Sequence, residues 1–281
     1  MFNLKSAAKR PITVWSDYKV DPRYFLLLFL ASFAIAGQIY LGFFQRWDAI
    51  IVSLLCTVST ELLLGRIFHK KWQFPLSAII TGIGVSLLVS SYLLWPYALT
   101  AVLSILFKYL IRYKGGHVFN PNNVALVLIL YFLPEYAVST PKQWTNAYEV
   151  MLFILCLGLF VSYLANRHYA ALTFLSGFTL LALIRHYVFG APLLAALGPL
   201  LGASLQLFTF FMITDPKTTP SSRGGQVIYA LIIALFDAAF RINQFANPQF
   251  YAVFLVSILV VIPYRWWVAR KSEQATGQNA R

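Results

Sequence analysis

The chain has 281 residues, of which 59% are hydrophobic and 11% charged, with a mean hydropathy of +0.70. A soluble domain carries about a quarter charged residues, so this composition excludes a soluble enzyme and a disordered chain and points to several membrane spans. The formal charge of +13, from 22 Lys and Arg against 9 Asp and Glu, lies between apolar blocks and not in one stripe, which reads as membrane orientation and argues against a nucleic-acid partner.

The first segment, residues 1–23, is basic and expected to lie in the cytoplasm. The apolar run after it lacks a cleavage site of small residues, so it reads as a retained span and not a removed signal. A lipid core requires about 20 apolar residues of helix, fewer for a re-entrant half helix. Ten such segments follow, near 24–44, 48–67, 75–91, 96–113, 121–134, 147–165, 169–188, 191–213, 225–242 and 249–268. None alternates strictly, so helices and not barrel strands must satisfy the backbone. The expected fold is an all-α polytopic membrane protein with a transmembrane domain over 24–268 and a cytoplasmic tail over 269–281.

Orientation follows from the basic residues. With the N-terminus inside, only Arg46, Lys142, Arg185 and Arg241 of the 22 fall outside. That is the asymmetry of positive-inside topology, with both termini cytoplasmic. All seven tryptophans, Trp15, Trp47, Trp72, Trp95, Trp144, Trp266 and Trp267, fall at span edges, where an interfacial belt would place them. Cys56 and Cys156 lie within apolar segments without CxxC spacing, and read as buried free thiols.

Two blocks suggest an internal repeat. Phe119-Asn120-Pro121 opens the fifth segment and Ala246-Asn247-Pro248 opens the tenth, the two Asn-Pro pairs lying 127 residues apart. Proline suits the first helical turn and the asparagine before it can cap the free N–H groups. The same offset carries Pro75–Gly82 of the third segment onto Gly202–Thr209 of the eighth. Five spans per copy invert the second, giving an expected 5+5 arrangement with repeat one over about 24–134 and repeat two over 147–268. Such repeats surround a small-ligand or ion site near the midplane.

Charged residues within a span are costly and mark candidate sites. Glu61 lies inside the second segment, with Arg66 and Lys70 as its nearest partners in sequence. Asp237 and Arg241 have i,i+4 spacing for a structural pair, and Lys108 and Arg112 are placed to reach the headgroups. Two polar loops stand out, Lys114–Asn123 and Thr214–Gly225. Gly115 and Gly116 permit close approach of backbone N–H groups to an anion or planar ring, and Asn120 and Asn123 supply donors and acceptors. Neither loop is a GxxxxGK[ST] phosphate cradle, the four histidines do not cluster, and no GxSxG, HExxH or paired-carboxylate pattern occurs.

The block Phe210-Phe211-Met212-Ile213-Thr214-Asp215-Pro216-Lys217-Thr218-Thr219-Pro220, followed by Gly224-Gly225 and Tyr229, resembles a signature of the RnfD/NqrB family. These are the D subunit of the Rnf electron-transport complex and the B subunit of the Na⁺-translocating NADH:quinone reductase. Ser77–Gly82 is similar to the family's S-A-x-[IL]-T-[GS] segment, Gly115–Pro121 to its GGxGxNxFNPA loop, and Glu61 to its second-span glutamate. The resemblance implies the ten-helix inverted repeat shared with urea transporters. It also implies a bacterial inner-membrane complex that moves electrons through flavin or quinone, coupled to Na⁺ or H⁺ translocation, with partner subunits.

Carried over by position, Gly116, His117, Asn120, Asn123, Thr214 and Asp215 would surround a non-covalent flavin, FMN or riboflavin, and Glu61 would lie on the ion pathway. His117 replaces the family's first loop asparagine. The interval 135–149 has no SGAT-like motif for a phosphoester-linked FMN: Thr145 lacks the flanking glycine, and Ser176-Gly177-Phe178-Thr179 lies within a span. No covalent FMN is therefore expected. The missing motif leaves a second reading, a stand-alone small-solute or ion transporter on the same fold, or an accessory membrane protein of a biosynthetic cluster.

Overall fold

The computed structural model describes residues 23–39, 47–70, 72, 74–113, 116–117, 119–139, 148–264, 266 and 270. Trp15, Thr145, Trp144 and Trp267, singled out above, lie outside them. The first half comprises α1 (Arg23–Ile39), α2 (Trp47–His69), α3 (Leu76–Leu88), α4 (Trp95–Leu110) and α5 (Pro121–Phe132). The second comprises α6 (Tyr148–Leu164), α7 (His168–Phe189), α8 (Leu193–Leu197), α9 (Ala203–Leu207), α10 (Arg223–Ile242) and α11 (Pro248–Val256). A 3₁₀ turn over Gly198–Leu201 joins α8 to α9, and wider π turns extend α9 over Phe208–Ile213 and α11 over Ser257–Val261.

Among the described residues three helices are long and apolar enough to cross a bilayer, Trp47–Phe68, His168–Phe189 and Arg223–Ile242. A fourth crossing arises if Leu193–Leu201 and Ala203–Ile213, bent by 53° at Gly202, count as one. The other apolar helices, including α3, α5 and Pro248–Tyr264, have 10–17 residues. The ten apolar segments thus all reappear as helix, but several are shorter than a full span. Prolines at the start of α4, α5 and α11 pre-set the first turn while removing a donor that no helix could use there.

In the first half α4 lies on α2 and α5; in the second, α10 lies on α7 and α11. The halves touch through α1 on α6 and α5 on α11; at the latter, Asn123 Nδ2 donates to the Phe250 carbonyl at 3.2 Å, and the rings of Phe119 and Phe254 stack with centroids 5.6 Å apart. An aromatic chain runs through the same interior. Phe210 meets Phe29 of α1 at 5.9 Å, and Phe208 meets Phe174 of α7 at 5.3 Å and Phe250 of α11 at 5.6 Å. Such edge-on pairs add attraction beyond their area.

Short antiparallel pairings close two loops, β1 (Val89–Ser90) with β4 (Val138–Ser139), and β2 (Arg112–Tyr113) with β3 (Gly116–His117). Many large apolar residues face outward, among them Ile51, Leu55, Leu63 and Ile67 of α2. An all-α protein with its backbone satisfied within helices and apolar residues on its outside is a multi-pass membrane protein. Cys156, expected to be buried, is instead exposed on α6, and Cys56 is half-buried. In lipid an apolar segment has an outward face as apolar as its inward one, so hydropathy does not report which face a thiol takes. The described tryptophans Trp47, Trp72, Trp95 and Trp266 are all exposed.

Candidate functional site

The site forms where the start of α5 meets the loop after α9. Asn120 is extended and caps α5, its Oδ1 accepting from the N–H groups of Asn122 at 3.1 Å and Asn123 at 3.4 Å. That frees its amide nitrogen, which donates to Asp215 Oδ2 at 3.3 Å. The two polar loops, 95 residues apart in sequence, are thereby joined. The second Asn-Pro pair behaves differently. Asn247 is left-handed (φ 53°) and makes no side-chain cap; its Oδ1 accepts from Ser139 Oγ at 2.6 Å.

The Thr214–Gly225 loop is held by its own side chains. Thr214 Oγ1 donates to the Phe210 carbonyl at 2.8 Å and Thr219 Oγ1 donates to that of Ile213. Asp215 Oδ1 accepts from the Lys217 N–H at 3.0 Å, and Arg167 reaches the Pro216 carbonyl at 3.2 Å. Ser222 caps α10 through the Gly225 N–H at 3.2 Å. A β-carbon on Gly225 would meet Ser222 Oγ at 2.7 Å and Pro220 Cβ at 2.8 Å, so this glycine permits the close approach of the turn to its helix.

Burial pushes the Asp215 carboxyl above the ordinary carboxylate range, against the Lys217 N–H and ammonium, which favour its charge. The ionised form therefore costs the folded chain more than the unfolded one. That cost is absent well below about pH 4, the ordinary carboxylate value, and grows as pH rises to the raised one. Asp215→Asn, which keeps an acceptor for Lys217, is expected to gain stability relative to the parent over that rise. Thermal midpoints in detergent at stepped pH check it; a flat or shrinking difference would contradict the assignment.

Beside the Asn120–Asp215 link lies a cavity with about 120 Å³ open to the centre of a water molecule, walled by Phe210, Phe211, Thr81, Asn122, Thr214 and Val161 among others. Asn122 was not singled out in the sequence, yet it is the polar residue best placed here. It is 3% exposed, its Nδ2 donates to the Thr81 carbonyl at 3.4 Å, and its Oδ1 has no partner among the described residues. A buried acceptor without a donor is costly unless a ligand or water supplies one. Two glycines set the aromatic walls: a β-carbon on Gly84 would lie 2.4 Å from the Phe211 ring, and one on Gly158 2.4 Å from that of Phe210.

A second, more polar cavity of about 200 Å³ adjoins the first across Arg23, Ser77, Lys108 and Lys217. Glu61 lies here, paired not with Arg66 or Lys70 but with Lys108, whose Nζ is 2.6 Å from both carboxylate oxygens; the Tyr109 hydroxyl donates to Glu61 at 3.1 Å. Sequence proximity favours a partner on the same helix, whereas α2 and α4 pack side by side and bring the ammonium across. Lys108 is accordingly buried at 7% exposed and does not reach outward, while exposed Arg112 donates through Nε to its carbonyl at 3.0 Å.

Of the residues proposed for the site, Asn120, Thr214 and Asp215 converge on the first cavity and Glu61 on the second. Asn123 is absent from both linings and spends its amide on the α5–α11 contact. Gly116 and His117 form β3, and the His117 side chain lies outside what is described. Asp237 and Arg241 form the expected pair at 2.8 Å. No group of three His, Cys, Asp or Glu is arranged for a metal among the described residues.

Residues 142–270 match the model of the NQR2, RnfD, RnfE family. The match includes the Thr214–Gly225 loop, the broken α8–α9 segment and the second Asn-Pro pair, and begins downstream of Glu61 and Asn120, which lie on the first half. Comparison with curated proteins gives no match.

Proposed function

We propose, from the match of residues 142–270 to the NQR2, RnfD, RnfE family, that this membrane subunit of RnfD/NqrB type holds a flavin or quinone non-covalently in the Asn120–Asp215 cavity. The reading extends to a bacterial inner-membrane redox complex with partner subunits, in which the bound group contributes to ion translocation. The observation that carries the site is Asn122 Oδ1, a buried acceptor without a partner on the wall of a cavity otherwise faced by Phe210 and Phe211.

A planar, hydrogen-bonding ring suits these walls. Aromatic faces support it, Asn122 offers an acceptor to a ring N–H, and Asn120 and Asp215 hold the rim by their mutual hydrogen bond. A bound flavin supplies one- and two-electron chemistry; the chain binds it, orients it and excludes water. Glu61, held by Lys108 and Tyr109 beside the second cavity, is the proposed acid on the ion pathway.

The protein purified in mild detergent is expected to show a flavin spectrum whose chromophore passes into the supernatant on acid precipitation. Asn120→Ala removes both the cap and the link to Asp215, and Asn122→Leu removes the acceptor; each is expected to lower flavin occupancy at least severalfold. Chromophore retained in the pellet would show a covalent flavin. A colourless protein containing no quinone that mediates solute uptake by itself in proteoliposomes would overturn the reading in favour of a transporter.

A further inference from the structure

Two helices of the first half share a buried polar seam that meets the second cavity at one end. On α2, Ser53, Thr57 and Glu61 follow one another at i, i+4 and i+8; on α4, Thr100, Ser104 and Lys108 do the same. Residues four apart lie on one side of a helix. The four hydroxyl residues are at most 1% exposed. Both helices reach the second cavity by their C-terminal ends, since Glu61, Lys108 and Pro75, which precedes α3, all line it. They therefore run the same way, with α3 carrying the chain back and packing on both. The Glu61–Lys108 contact then sets the register. Thr57 stands level with Ser104 and Ser53 with Thr100, each pair 47 residues apart like the ion pair itself. A β-carbon on Gly82 of α3 would lie 2.6 Å from Thr57 Oγ1 and 3.0 Å from the Leu54 Cα, so the α3 backbone closes the seam on that side.

This polarity does not join the two helices. Thr57 Oγ1 donates to the Ser53 and Leu54 carbonyls of its own helix at 2.9 and 3.1 Å, and Thr100 Oγ1 to that of Pro96 at 2.7 Å. A hydroxyl that donates back in this way still offers a lone pair as acceptor. Ser53 Oγ and Ser104 Oγ, on residues with no exposed surface, have no partner among the described residues. Such groups are costly in lipid, where an apolar side chain would pack without that cost. Successive rungs are about 6 Å apart along the axis, the span of two O–H···O bonds through one water. We infer that the seam is a proton path leading from Glu61 toward the Trp47 and Trp95 ends of α2 and α4. Ser53 and Thr100 lie within two turns of those ends. Each oxygen takes a proton on a lone pair as it passes its own to the next, so only O–H bonds form and break, and one proton emerges for each that leaves the Glu61 carboxyl. A hard metal ion takes about six oxygen ligands at once, whereas each rung presents two. The inference rests on Glu61 as the acid of the ion pathway, and adds the route and the species that passes.

Full-length protein in proteoliposomes, with a pH-sensitive dye inside and a potassium diffusion potential across the bilayer, is expected to take up protons faster than protein-free vesicles. Ser53→Ala and Ser104→Ala, made separately, are each expected to slow uptake at least severalfold. Neither hydroxyl has a described partner to lose, so both variants should unfold at the parent's temperature or above it. Ser104→Thr, which restores a hydroxyl, is expected to keep most of the rate. Alanine variants that lose stability yet conduct as the parent does would show that the seam only packs, and overturn the path. If Glu61→Gln stops uptake while both alanine variants conduct, the acid stands and the seam falls. Uptake of sodium in place of protons overturns the proton path and leaves an ion pathway. A parent no faster than protein-free vesicles overturns the seam and the role of Glu61 together.

Discussion

Arg241→Ala is expected to destabilise the protein by about 3–5 kcal/mol, the cost of leaving a buried charge without its partner. Asp237 is 1% exposed, and Arg241 Nε meets its Oδ2 at 2.8 Å. Arg241 also donates to Gln249 Oε1 at 3.1 Å, and Gln249 in turn donates to Ser204 Oγ at 3.0 Å, so the guanidinium ties α10 to the start of α11 and to α9. Arg185 of α7 lies over the same Phe178 ring as Arg241, at 5.6 and 5.0 Å, and its Nη2 donates to the Ala196 carbonyl at 3.2 Å. Two cations can share one ring because a carboxylate lies near both. Removing only Arg241 strands Asp237, whose Oδ1 already has no partner among the described residues. The double variant Asp237→Asn/Arg241→Gln removes both charges and is expected to recover most of the loss. Unfolding midpoints for the two singles and the double provide the check; a single-variant loss under about 1 kcal/mol would show that the pair is not effectively buried.

Gly158→Ala and Gly84→Ala are each expected to cost about 1–3 kcal/mol and to abolish ligand binding in the first cavity. Each new methyl would lie 2.4 Å from an aromatic ring, Phe210 for Gly158 and Phe211 for Gly84. Neither ring yields cheaply. Phe210 is fully buried and packs edge-on against Phe29, while Gly84 is crowded as well by Asn122 Nδ2 at 2.9 Å. Relief at Gly84 would push Phe211 and Asn122 together into the space where a ring would bind. Flavin occupancy should therefore fall further than stability does. Occupancy and thermal midpoint measured on the same preparations separate the two effects, and a Gly84→Ala protein that keeps its ligand would show that Phe211 does not shape the site. Gly224, which has nothing within 4 Å of its would-be β-carbon, is the internal control: Gly224→Ala should leave both readouts near the parent's.

What the amino-acid order determined alone is the class of the protein and the identity of its most specific loop. Composition and segment length require helices in lipid, because no other open structure satisfies the backbone there. Pro121 and Pro248 mark helix starts through a fixed φ and a missing donor, both local properties, and Asn120 caps its helix as its neighbours dictate. The i,i+4 spacing of Asp237 and Arg241 likewise survives in the fold, since a helix alone brings them together. The Thr214–Gly225 block was recognisable by the order of its residues, which resembles a family signature, and the family match falls on that half.

Everything that depends on one helix facing another was decided only by tertiary structure. Glu61 finds Lys108, 47 residues away, because α2 lies beside α4. Asn123 turns to α11 while Asn122, one residue earlier, faces the cavity, a difference of about 100° around a helix that polarity cannot reveal. Hydrophobic periodicity is weak where the outer face meets lipid and the inner face meets protein, both apolar. The sequence thus specifies that these segments are helices, but only their packing selects which polar side chains meet inside.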